Sequence, residues 1–243
     1  LFSGLVIGLL TLGAAAGIWL AVWDFRRGFE LLRMANNYGG VVAWVGLAVT
    51  IGIVLAGKLW NINGTAKFAS MAAAGAVIAA VSYAIPESFR PPEGVNYPPI
   101  HDIATDTDSP PQFVAILPLR AAAPNTVVYG GSADMTAQRL AELTHEAYPD
   151  LVPRYYDEPV AAVFQRALTA VDSLGWELVD ADQNGGRIEA TATTFWFRFK
   201  DDVVIQFAQE GSQTLVNARS LSRVGTGDVG ANALRLRAFF ELL

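Results

Sequence analysis

The sequence predicts an α+β protein: three N-terminal transmembrane helices, then a soluble domain with an antiparallel sheet of about four to five strands covered by helices. Three observations predict it. Residues 1–23, 39–57 and 68–85 are uncharged apolar runs. Prolines crowd residues 86–111. Beyond them, runs of period 3.6 flank runs of period 2. The expected divisions are a membrane part over 1–86, an extended linker over 87–112 and a folded domain over 113–243.

Only 16% of the 243 residues are charged, and 52% are hydrophobic. The charge deficit lies in the first 86 residues, which hold five basic and two acidic side chains. Twelve basic and twenty-one acidic groups remain for the rest, net −9 against +3. So acidic a domain excludes nucleic acid as a partner, because phosphate contacts need a basic face. The lack of cysteine excludes disulfides, thiolate metal sites and cysteine nucleophiles.

Each apolar run is long enough to cross the roughly 30 Å hydrocarbon core as a helix. The first exceeds the usual signal-peptide core and is read as a retained span. The chain opens on Leu1 rather than methionine, so residues are expected ahead of it. Gly4/Gly8 and Gly13/Gly17 repeat a small-residue spacing that lets helix backbones approach. The spans carry no ionisable side chain, which argues against a proton path, channel or charge-coupled transporter. Between the first two, Phe25 and Phe29 share one helical face while Arg26 and Arg33 lie on another, the pattern of a short helix in the membrane interface. The lipid bilayer is thus the first expected partner.

Within the linker, Asp102, Asp106 and Asp108 could collect a cation through oxygen ligands, although an EF-hand's glycine and terminal glutamate are missing. Residues 113–119 read as a short strand and 136–147 as a helix. A second helix starts at Pro159 and buries Val163, Phe164, Ala167 and Val171. Strands follow at 176–181 and 187–194, with 195–199 continuing or bending the second. Asp201-Asp202 reads as a turn before strands at 203–209 and 214–223. In the last strand Asn217, Arg219, Leu221 and Arg223 face one way while Val216, Ala218, Ser220 and Ser222 face the other. A final helix begins near Asp228 as N-cap.

Several phrases in fixed order carry a resemblance: Pro98-Pro99-Ile100-His101-Asp102, Ala147-Tyr148-Pro149-Asp150, Leu174-Gly175-Trp176, Lys200-Asp201-Asp202-Val203 and Arg219-Ser220-Leu221-Ser222-Arg223. They resemble the bacterial family catalogued as domain of unknown function 1499, over about residues 97–243. Trp23-Asp24-Phe25-Arg26-Arg27-Gly28-Phe29 is similar to that family's membrane-anchored branch. The resemblance implies a fold but no chemistry. It also implies a multi-pass protein of the bacterial inner membrane with its domain in the periplasm, although the first loop's arginines outnumber Lys58 and Lys67 of the second.

The best candidate site is an anion site of Arg219, Arg223, Thr226, Gly227 and Arg235, two guanidinium groups beside a helix start. The competing account pairs the arginines with Glu189, Asp201 or Asp202 across the sheet. No nucleophile elbow or nucleotide-binding glycine pattern occurs, so no catalytic residue and no cofactor is expected. A cleft gathering His101 or His145 with a carboxylate and a serine would instead point to an enzyme. The expected function is a non-enzymatic accessory or stabilising subunit packed against a larger membrane complex, energy-transducing (respiratory or photosynthetic). The alternative is a periplasmic module that binds an anionic or lipid-like ligand near Arg219 and Arg223.

Overall fold

The computed structural model describes every residue except Ala133. It divides into two compact units: Leu1–Pro92 with Trp196–Arg198, and Glu93–Phe195 with Phe199–Leu243.

The first unit is built on three helices, α1 (Phe2–Trp19), α2 (Phe25–Leu59) and α3 (Thr65–Glu87), each long and apolar enough to cross a membrane. Small residues bring them together. A Cβ on Gly4 would lie 2.1 Å from the carbonyl oxygen of Gly75, so α1 and α3 touch backbone to backbone. Gly28 meets Ala14 and Ile18 of α1, and Gly39 meets Ala79 of α3. At the polar end Asn36 donates to Tyr83 O at 3.3 Å and to Glu87 Oε1 at 2.9 Å.

One expectation for this unit is corrected. Phe25, Arg26, Phe29 and Arg33 do not form a separate helix in the interface plane; they are the opening turns of α2. Asp24 caps that helix by accepting from the Arg27 N–H at 3.1 Å. Residues 25–59 contain no proline to stop the helix. At 1.5 Å per residue α2 runs about 52 Å, well beyond the roughly 30 Å apolar slab of a bilayer, so a membrane crossed by α2 would leave its charged first turns outside the hydrocarbon.

The second unit is a six-stranded antiparallel sheet with helices. Its strands are β1 (Asp102–Ala104), β2 (Arg154–Tyr156), β3 (Glu177–Asp182), β4 (Arg187–Thr193), β5 (Lys200–Glu210) and β6 (Gln213–Ser222). The order is β1-β6-β5-β4-β3, and β2 lies beyond β1 on the same edge of β6. Helices α4 (Ala137–Ala147), α5 (Val160–Ser173) and α6 (Ala231–Leu242) join Ile103, Val203, Ile205 and Val216 in the main core. The opposite face is covered by the chain between β1 and α4, where Phe113 and Ile116 pack on Val204 and Leu221.

Three local expectations change. Asp102–Ala104, placed in the linker, is instead paired with Leu221, Ser220 and Arg219 of β6. Residues 113–116 run as irregular chain into a 3₁₀ turn, Leu117–Arg120, because the Glu189 carboxylate takes the N–H groups of Val114, Ala115 and Ile116 at 2.9–3.0 Å. Asp201 and Asp202 are not a turn: they lie buried inside β5, opposite Ser222 and Leu221. Asp228 does cap the last helix, but from two residues before Gly230, accepting from the Gly230 and Asn232 N–H groups.

Candidate functional site

The alternation of β6 aims Arg219 and Leu221 at the loop-covered face, as the sequence implies, and Arg223, one residue past the strand's end, meets Asp202 on that same face. What meets the arginines there is protein. Arg219 is fully buried and grips Asp102 with two parallel bonds of 2.8 Å, Nε to Oδ1 and Nη2 to Oδ2. It also donates to the carbonyls of Pro111 and Val127 and lies between the rings of Phe113 and Tyr129, 5.2 and 5.4 Å from their centroids. Arg223 holds Asp202 through Nε and Nη2 at 2.9 and 2.8 Å. Arg120 adds a third cation, its Nη1 2.6 Å from Asp202 Oδ2, and the Thr191 hydroxyl donates to Oδ1 at 2.8 Å. On the helix face Arg235 binds Asp201 at 2.6 Å and joins a chain of hydrogen bonds through Ser220, Asn232 and Ser222.

The anion site expected at Arg219, Arg223 and Arg235 is therefore corrected. All three guanidinium groups are neutralised by internal carboxylates, the competing arrangement, with Asp102 as a partner the sequence did not suggest. Buried charges persist only when paired, and these are. The cation site expected at Asp102, Asp106 and Asp108 is corrected for the same reason. Asp102 is committed to Arg219, and Asp106 accepts from the backbone N–H groups of Asp108 and Ser109 in an Asx turn. Among the described residues no group of three or more histidines or carboxylates could hold a metal ion.

Thr226 does reach a hollow. A cavity of about 490 Å³ opens between residues 99–102, 124–126 with Val128, and 130–132 with Asp134 and Met135; Gly225 and Thr226 stand at its rim. Gly130 makes the sharp turn on one side at φ +59°, and a Cβ there would lie 2.1 Å from the Ala137 nitrogen. His101, Asp102, Ser132 and Asp134 all line the cavity, the kinds of group a hydrolytic relay uses. They are not wired as one. Both Asp102 oxygens serve Arg219, and the buried Nδ1 of His101 has no hydrogen-bond partner among the described residues, so no described carboxylate orients the imidazole through that nitrogen. His145 is elsewhere, 3.0 Å from the Thr107 hydroxyl. The lining contains no lysine or arginine among the described residues, which disfavours an anionic guest.

Two phenols are buried in the main core of the same domain, Tyr129 and Tyr148. Burial pushes Tyr129 up to about 12; the Asp102 carboxylate adds to this, while Thr144 and Arg219 oppose it. Burial also pushes Tyr148 up to about 12, helped by Asp228 and Tyr97 against Arg237. The fold thus favours the neutral phenols, while unfolded tyrosines ionise near 10.0. Their contribution is whole below pH 10 and is lost as pH rises towards 12. Alkaline denaturation should show it: replacing both with phenylalanine is expected to flatten the fall of the unfolding midpoint across that window.

Arg120 and Asn125 are structural residues the sequence reading missed, and Glu189, named there as a partner for the arginines of the last strand, instead holds the loop backbone and Arg187. Asn125 ties the loop to β6 by donating to Ser222 O and Gly225 O. A loop arginine and asparagine carry no spacing signal, whereas Asp202 lies two registers from Arg223 on one face and was legible as a partner.

A family model described as a protein of unknown function, DUF1499, matches residues 102–243. No curated protein matches the chain.

Proposed function

The chain belongs to the DUF1499 family, and since that model brings no activity with it, we propose the reading its helices support best: a membrane-anchored, non-enzymatic accessory subunit that steadies a larger membrane assembly. The observation that carries it is a groove of about 720 Å³ between α2 and α3. Gly40, Ala43, Ala76 and Ala80 line it beside Trp44 and Val77, with Asn36 and Asn37 at one end. Small residues admit another helix at close range, and an exposed amide such as Asn37 gains an interhelical hydrogen bond where water is scarce. The folded domain is assigned to the periplasmic side of the bacterial inner membrane, on the likeness of residues 23–29 to the anchored branch. The non-enzymatic reading is supported by the internal commitment of Asp102, Asp201, Asp202 and Glu189.

The test is gentle solubilisation through a C-terminal tag, with sizing of whatever co-migrates. Wild type is expected to bring a defined partner. Gly40→Leu should lose it at unchanged helix content, because the new side chain fills the groove; a Cβ at Gly40 meets Tyr83 only at 3.5 Å, an ordinary contact. A protein that runs alone and monomeric in every mild detergent sinks the subunit reading. Retention of the partner by Gly40→Leu would move the interface to another face.

A further inference from the structure

A second groove, of about 320 Å³, runs between α1 and α2. Val6, Leu9 and Leu10 line its lower part, Leu31 one side, and Trp23 and Arg27 its upper end. Its floor is Gly13, where a Cβ would meet nothing within 4 Å. That glycine does none of the packing done by Gly4 and Gly28, and in a helix interior glycine costs about 1 kcal/mol relative to alanine. Its effect is to keep the groove open.

The polarity of the groove follows the helices. Gly8 meets Ile78, in the uncharged part of the bundle, whereas Gly28 meets Ala14 at the level of the charged turns of α2. Passing from Val6 to Gly13 therefore leads from the apolar region to Arg27. Trp23 is fixed there, its indole laid over Gly17 and its N–H donating to Ala14 O at 3.4 Å. Arg27 gives Nη1 to Glu30 at 2.7 Å, and Arg26 and Arg33 stand exposed nearby, so residues 24–33 carry three cations against two anions.

We infer that this groove holds one anionic phospholipid, an acyl chain along Val6, Leu9, Leu10 and Gly13 and the phosphate at Arg27 beside Trp23. The apolar length suits a chain, the cation stands at the end where a headgroup lies, and an indole at that depth is a usual interfacial anchor. The inference rests on α1–α3 lying in a bilayer.

The test uses the full chain in mild detergent, titrated with palmitoyl-oleoyl phosphatidylglycerol or phosphatidylcholine and read by native mass spectrometry. One phosphatidylglycerol should be retained at least about tenfold more tightly than phosphatidylcholine, the effect of roughly one well-placed charge in a partly desolvated setting. Arg27→Gln should erase that preference while leaving a weaker, headgroup-blind adduct. Gly13→Leu should remove both adducts without changing helix content. Equal binding of the two lipids by wild type, a preference that survives Arg27→Gln, or adducts that survive Gly13→Leu would each overturn the site. Extraction of the protein from native membranes by alkaline carbonate is the separate result that would remove the membrane reading itself.

Discussion

Replacing Arg219 with methionine should destabilise the folded domain by about 3–5 kcal/mol, the usual result of removing one partner from a buried ion pair. Asp102 would be left in a site sealed by Phe113 and Tyr129, and the carbonyls of Pro111 and Val127 would lose a donor. For a domain of this size the melting temperature should fall by roughly 10 °C. Circular dichroism of the detergent-solubilised protein reads the shift. The double variant Asp102→Leu with Arg219→Met should recover a substantial part of the loss, because it removes both charges together. An anion-binding role for Arg219 predicts the opposite, a single variant that folds with near-native stability and fails only to bind.

The parts of this fold written locally were legible. Helices α4, α5 and α6, the β3–β4 hairpin and the two faces of β6 each follow from a period and its end signals. The parts that depend on closure were not. β1 is three residues long in a proline-rich stretch, too short to show alternation, and it exists because β6 offers an edge more than a hundred residues later. Asp201-Asp202 reads as a turn since adjacent carboxylates are poor strand formers. Arg235, Arg120 and Arg223, brought by distant segments, pair with them and make their burial tolerable. In the membrane part the apolar runs marked the spans, but charges at residues 24–33 hid the continuity of α2, because a helix does not end where a bilayer does.

The candidate site shows the same division. Arg219 and Arg223 were recognisable as a same-face pair from spacing alone, yet spacing cannot say whether the face meets solvent or protein. The answer lies in residues 105–130, a segment of weak pattern that folds over the sheet and turns two exposed-looking arginines into buried ones. Gly13 and Gly17 illustrate the converse: one sequence spacing serves two ends, with Gly17 seating Trp23 and Gly13 facing open space.

The heaviest single loss is expected at Asp202. Its two oxygens receive Arg120, both donors of Arg223 and the Thr191 hydroxyl, and its side chain is wholly buried. Asp202→Ala would leave two like charges facing each other across a void, with Arg120 buried and Arg223 nearly so. Each repels the other at low effective dielectric, and each has lost its strongest acceptor. The expected cost is about 5 kcal/mol or slightly more, the upper end for a broken buried pair, enough to leave a marginal domain largely unfolded at growth temperature. Asp202→Asn keeps the shape and an acceptor for one arginine, so it should fall between wild type and alanine. Limited proteolysis would read the order directly, with cleavage appearing first in residues 113–125, the loop that Arg120 ties to the sheet. Wild-type resistance in Asp202→Ala would mean that the charges around Asp202 are solvated after all, and the assignment of Arg120 and Arg223 to internal pairing would fall with it.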